Sequence, residues 1–150
     1  MQKVPLFGFI YSYAAVKVDR SDIGKRAKSI LNLKSILNKG ISIIVFPEGT
    51  FNLTHNPLKG FYDGAFRVAI DTQTPLNPVL FLNAYDRLSY QSIFSLTPGK
   101  SRSVFLDEIP VEGLTQENVS DLKQKVYDLM DSKLREYKVS WIPPNPLKGE

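Results

Sequence analysis

An α/β domain, with a largely parallel or mixed sheet flanked by helices, is the fold class this sequence predicts. Three observations point to it. The apolar run "ISIIVF" at residues 41–46 has the length and β-branched content of a strand covered on both faces. Segments before and after it place apolar residues at helical spacing. Strand-like and helix-like segments then alternate along the chain, the pattern of strands joined by crossover helices.

The elements follow in order. "AAVKV" (14–18) reads as a short strand ending at Asp19 and Arg20. Ser21 offers a helix N-cap, and Asp22 suits the positive end of the helix dipole. Ile23, Ala27, Ile30, Leu31 and Leu37 recur at helical spacing, and Gly40 closes that helix. Residues 41–46 are the buried strand, and 52–60 a polar loop. Residues 61–73 read as a helix. Residues 75–83 read as a strand, with Pro78 near its start or on an edge because proline has no N–H for the ladder. "TPGK" (97–100) is a turn and 103–109 a further strand. Thr115 opens a long helix with Val119, Leu122, Val126, Leu129, Leu134 and Tyr137 on one face. We therefore expect a domain over residues 1–138. A Pro-rich tail, residues 139–150, is expected to wrap the surface or stay disordered.

Composition narrows the chemistry. The chain has 150 residues, enough for one domain with a real core. It contains no cysteine, which excludes disulfides, thiolate catalysis and Cys-ligated metals; a reducing compartment fits. We expect no metal site. The formal net charge of +4 favours anionic partners such as phosphate esters or an anionic membrane surface. Nucleic acid is not expected, because the aromatic residues sit in apolar runs such as "LFGFIY" and "VLFLN" that read as core. No run approaches the roughly 20 apolar residues of a membrane span.

The candidate site is "FPEGT", residues 46–50, beyond the carboxyl end of the predicted strand, where α/β sheets usually bind ligands. Pro47 ends the ladder, Gly49 permits a close backbone approach, and Thr50 adds a hydroxyl. Glu48 is suited to accept from a substrate hydroxyl or to hold an arginine, not to face a phosphate. Arg20 follows a strand and opens a helix, where exposed N–H groups and a guanidinium together suit a phosphate.

Three segments in order resemble the glycerolipid acyltransferase family, specifically the 1-acyl-glycerol-3-phosphate acyltransferases. "KVPLFGFIYSYAAVKVDR" resembles the family's second motif through Pro5, Gly8, Asp19 and Arg20. "VFPEGT" resembles its third. "FYDGAFRVAIDTQTPLNPVLFLN" resembles the segment ending in its fourth, around Pro75, Pro78 and Val79. The similarity covers roughly residues 3–110. It implies a glycerol-phosphate acyltransferase-like fold and acyl transfer from acyl-CoA or acyl-carrier protein to a lysophosphatidate hydroxyl in phospholipid biosynthesis. No cofactor is implied beyond the donor. Arg20 would contact phosphate. Phe46, Pro47, Glu48, Gly49 and Thr50 would line the acceptor pocket, with Glu48 binding the glycerol or ordering the loop.

Three positions depart from the family pattern. The family's His-x4-Asp base is absent: the one histidine is His55, five residues before Gly60 and after the third motif, and it reads as a loop residue. Phe51 stands where the third motif ends in arginine, so Lys59 or Arg67 becomes a candidate replacement phosphate contact. Tyr62 and Asp63 stand where the family often has lysine. The expectation is an N-terminally truncated acyltransferase domain, with the catalytic motif upstream of Met1 and no activity in this chain alone. The alternative is a non-catalytic phospholipid head-group module or a degenerate acyltransferase. The resemblance also implies attachment to the cytoplasmic face of a membrane. It would be peripheral, through the basic surface and an apolar patch near residues 5–13, or through an anchor absent from this chain.

Overall fold

The computed structural model describes residues 23–54, 56–88 and 96–142. The chain divides into two compact units, residues 1–44 and 45–150. The strand expected at 14–18, the cap at Ser21 and Asp22, Arg20, His55, the apolar patch at 5–13 and the end of the tail lie outside the described residues.

In the first unit, helix α1 spans Ile23–Leu37, with Lys34 in its last turn where a cation suits the dipole. Gly40 ends it as predicted. Its φ is +74°. The Gly40 N–H donates to the Leu37 carbonyl at 2.8 Å and the Ile41 N–H to the Ile36 carbonyl at 3.3 Å. These two bonds define a Schellman motif, which needs a left-handed residue at this position.

The run at 41–46 is not the buried strand that its composition predicts. It forms no strand. Ile44 is 79% exposed and Phe46 68%. An apolar run states which side chains favour burial. A strand also needs a neighbouring chain for its N–H and C=O groups, and among the described residues no strand pairs with this one.

In the second unit, β1 (Val79–Phe81) and β2 (Ser103–Phe105) form an antiparallel pair with Leu80 opposite Val104. Among the described residues every pairing is antiparallel, so the ladder seen is neither of the two sheet types expected, largely parallel or mixed. Pro78 lies just before β1, where its carbonyl accepts the Leu106 N–H at 2.9 Å. An isolated antiparallel bridge joins Leu76 to Ile109. Three residue steps on one side (76 to 79) oppose four on the other (105 to 109), so a β-bulge breaks the strand expected at 103–109.

Helix α2 spans Gly64–Asp71, shorter than the expected 61–73. The Tyr62 N–H is drawn to the Pro47 carbonyl at 2.9 Å, and Gln73 takes a left-handed φ of 49°. Helix α3 is the single turn Ala84–Arg87. A 3₁₀ turn at Gln116–Asn118, closed by a Thr115–Asn118 capping box, leads into α4 at Val119–Glu136. Thr115 therefore opens the long helix as its sequence predicts. Val119, Leu122, Val126 and Leu134 are buried, Leu129 packs partly against the core, and Tyr137 is exposed.

One core joins Phe66, Ala69 and Ile70 of α2, Leu80 and Leu82, Ile109 and Val111, and the buried stripe of α4. The start of the Pro-rich segment belongs to it. Val139 is buried there, and Trp141 and Ile142 pack against it.

Candidate functional site

The loop at 46–50 is a turn folded back on itself. The Gly49 N–H donates to the Phe46 carbonyl at 3.1 Å, closing a β-turn with Pro47 second and Gly49 fourth. Those are favoured places for Pro and Gly in type I turns. Gly49 has φ +70°, a conformation that costs a side-chain-bearing residue energy. The chain leaves through Thr50 and returns at Lys59, and two clamps fix the return. The Lys59 N–H donates to Glu48 Oε2 at 2.8 Å, and the Tyr62 N–H holds the Pro47 carbonyl.

Glu48 is half-buried. Burial pushes its carboxyl above the ordinary glutamate range, while the Lys59 N–H and ammonium pull it partly back. A buried carboxylate costs energy unless hydrogen-bonded, which explains why the backbone N–H comes to it. Thr50 is bound on its oxygen: Lys59 Nζ donates to Thr50 Oγ1 at 2.9 Å. Glu48, Thr50 and Lys59 are therefore one cluster.

The excursion between them is pinned by its own polar side chains. Asn52 Nδ2 donates to the Asn56 carbonyl at 2.9 Å, and Asn52 Oδ1 accepts from the Thr54 N–H at 3.0 Å and the Thr54 hydroxyl at 2.6 Å. Such contacts are Asx and Ser/Thr turns. The returning limb is anchored to the core through buried Leu58, and the Tyr127 hydroxyl reaches the Leu58 carbonyl at 3.4 Å.

Of the residues singled out from the sequence, Pro47, Glu48, Gly49, Thr50 and Lys59 come together. Phe46 stands beside them, its ring 6.4 Å from Phe81. Arg67 is occupied differently: it lies on α2, one turn from Asp63, with Nη2 3.8 Å from Asp63 Oδ2. Asp63 is bonded to Lys123 Nζ at 2.7 Å. Sequence reasoning did not foresee the Glu48–Lys59 backbone bond or the Asn52–Thr54–Asn56 network. The density of Asn and Thr at 52–56 was the available signal. Among the described residues no group of three or more His, Asp or Glu is placed to hold a metal ion.

The sequence profile of the acyltransferase family matches residues 1–82, more than half of the chain. The chain belongs to the acyltransferase family. A 1-acyl-sn-glycerol-3-phosphate acyltransferase of Haemophilus influenzae is 31% identical over 135 residues, 89% of this chain and 55% of that protein. The human 1-acyl-sn-glycerol-3-phosphate acyltransferase alpha is 31% identical over 122 residues, 79% of this chain and 42% of that protein. The crystal structure of PlsC, the 1-acyl-sn-glycerophosphate (LPA) acyltransferase of Thermotoga maritima, superposes with a TM-score of 0.73. Identity to it is 23%, over 93% of this chain and 54% of that one. The acyltransferase fold is thus shared, and the α/β class expected from the sequence holds. The chain spans about half the length of the relatives it matches.

Proposed function

We propose that this protein serves the transfer of a fatty acyl group from acyl-CoA or acyl-carrier protein to the free hydroxyl of lysophosphatidate. A base takes the proton of the acceptor hydroxyl, whose oxygen attacks the thioester carbonyl. The carbon–sulfur bond then breaks, and the thiol leaves with a proton. The observation that carries this reading is the clamped 46–50 turn, which gathers a hydroxyl, a cation and a half-buried carboxylate. It supports a polar acceptor pocket in a chain of this family.

In this reading Phe46, Pro47, Gly49 and Thr50 shape the acceptor pocket and Arg20 meets the phosphate. Glu48 orders the loop, since its Oε2 is taken by the Lys59 N–H. The histidine base is not among these 150 residues, whose one histidine is not followed by Asp at the fifth position. The chain alone therefore binds acceptor and performs no transfer. That absence also favours the second reading, a head-group-binding module without chemistry. The setting is the cytoplasmic face of a membrane, held peripherally.

Two assays test this. With acyl-CoA and lysophosphatidate, the chain should show no turnover above its Glu48→Ala variant; clear turnover would refute the inactivity. In calorimetric titration the chain should bind a short-chain lysophosphatidate more tightly than the matching monoacylglycerol. Equal affinity for the two would remove lysophosphatidate as the acceptor.

A further inference from the structure

The Lys59 ammonium is the least explained group in the cluster. It donates to a neutral hydroxyl, Thr50 Oγ1; among the described residues it forms no ion pair within 4.0 Å, and its charge acts on the Glu48 carboxylate only from beyond that distance. Lys59 is exposed, yet the backbone that carries it is held firmly. Its own backbone N–H is clamped to Glu48, the residue before it is buried, and the Asn52–Thr54–Asn56 network stiffens the limb leading to it. A lysine that serves only as a solvated surface charge needs no such fixed backbone.

The chemistry left available is that of an oxyanion subsite. An ammonium has three donors, and one is spent on Thr50. Thr50, accepting on its oxygen, keeps its own proton, which meets the Phe51 carbonyl only at 3.5 Å. That is too long to satisfy a hydroxyl. Two ammonium donors and one hydroxyl donor thus stand side by side, matching the three oxygens and the charge of a phosphate monoester. Phe51, next to Thr50, supplies no charge. Arg67 has its guanidinium near Asp63.

Resting on the acceptor reading above, we propose that Lys59, with Thr50, binds the phosphate monoester of the acceptor. The charge would come from the returning limb of the loop, in place of a cation following Thr50. Lys59 then determines specificity for phosphorylated over unphosphorylated acceptors. Glu48 is a positioning residue that acts on it through the backbone clamp.

The test is calorimetric titration of the full chain with a short-chain lysophosphatidate and with the monoacylglycerol of the same acyl length. Lys59→Met keeps the backbone clamp and removes the charge. It should weaken lysophosphatidate binding about tenfold or more, the scale of a lost charge-assisted hydrogen bond, and leave monoacylglycerol binding unchanged. Lys59→Arg should recover most of the loss, and Arg67→Met should cost less than Lys59→Met. Unchanged lysophosphatidate binding in Lys59→Met overturns this inference and leaves the acceptor reading standing. Equal weakening of both ligands overturns it too, since Lys59 would then act only by shaping the loop. If the unaltered chain binds no lysophosphatidate, the acceptor reading falls and the inference with it.

Discussion

At the scale of single residues, Glu48 shows how burial and hydrogen bonding compete at one carboxyl group. Burial raises its pKa, and the Lys59 contacts only partly offset the rise. The folded pKa therefore lies above the unfolded one. A group raised in this way contributes stability in full below its unfolded pKa and loses it as pH rises through the folded pKa. Glu48→Gln removes the charge and keeps an oxygen to accept the Lys59 N–H. The unaltered chain should thus gain stability relative to Glu48→Gln as pH falls from about 7 to about 4, a window bracketing the ordinary glutamate value. Urea unfolding of both proteins across that range checks it; a difference that stays flat, or runs the other way, would show that the carboxylate is effectively solvated. Glu48→Ala also loses the acceptor and should cost about 1 kcal/mol at neutral pH, the usual size of one such bond.

At the scale of elements, packing and ion pairing can be ranked where α2 meets α4. Lys123 on α4 donates to Asp63 Oδ1, just before α2, at 2.7 Å, but both side chains are substantially exposed. Lysine's contact holds the Asp63 carboxyl below its ordinary value. An exposed pair of this kind contributes at most about 1 kcal/mol. Leu122 on the same helix is buried in the core, and truncating such a residue to Ala costs about 2–5 kcal/mol. Leu122→Ala should therefore lower the urea midpoint several times more than Asp63→Asn; comparable shifts would mean the ion pair dominates. Gly40 shows a third mechanism. A Cβ there would meet nothing within 4 Å, so sterics predict no penalty. Its φ of +74° predicts that Gly40→Ala costs about 1 kcal/mol through backbone conformation alone. A neutral Gly40→Ala would show that the turn relaxes without cost.

The three longer helices were legible in the sequence because periodicity and end signals agree: Gly40 after α1, and Thr115 before α4. Residues 41–46 were misread because an apolar run carries no information about its ladder partner. Within the candidate site, Pro47, Gly49 and Thr50 were readable from residue type. The Glu48–Lys59 clamp was not, because it joins residues 11 apart through a backbone N–H that every non-proline residue has.

Across the whole molecule, surface charge and exposed apolar residues bear on membrane attachment. No helix of the described residues is long and apolar enough to cross a bilayer. The formal charge of +4 favours an anionic surface, at about 1 kcal/mol for each basic residue close to it. In the second unit the sheet face that carries Phe81 also carries Phe105, 71% exposed, and Phe46 packs against Phe81. These aromatic rings have the character of residues that enter the headgroup region. The two contributions respond differently to salt. Charge attraction fades as the Debye length falls from about 10 Å at 0.1 M to about 3 Å at 1 M, whereas burial of aromatic rings does not. The chain should sediment with phosphatidylserine-containing vesicles at low salt and be largely released near 1 M. Retention at high salt that disappears in Phe105→Ser would assign the binding to the aromatic face instead. Failure to sediment at low salt would exclude peripheral attachment by this chain.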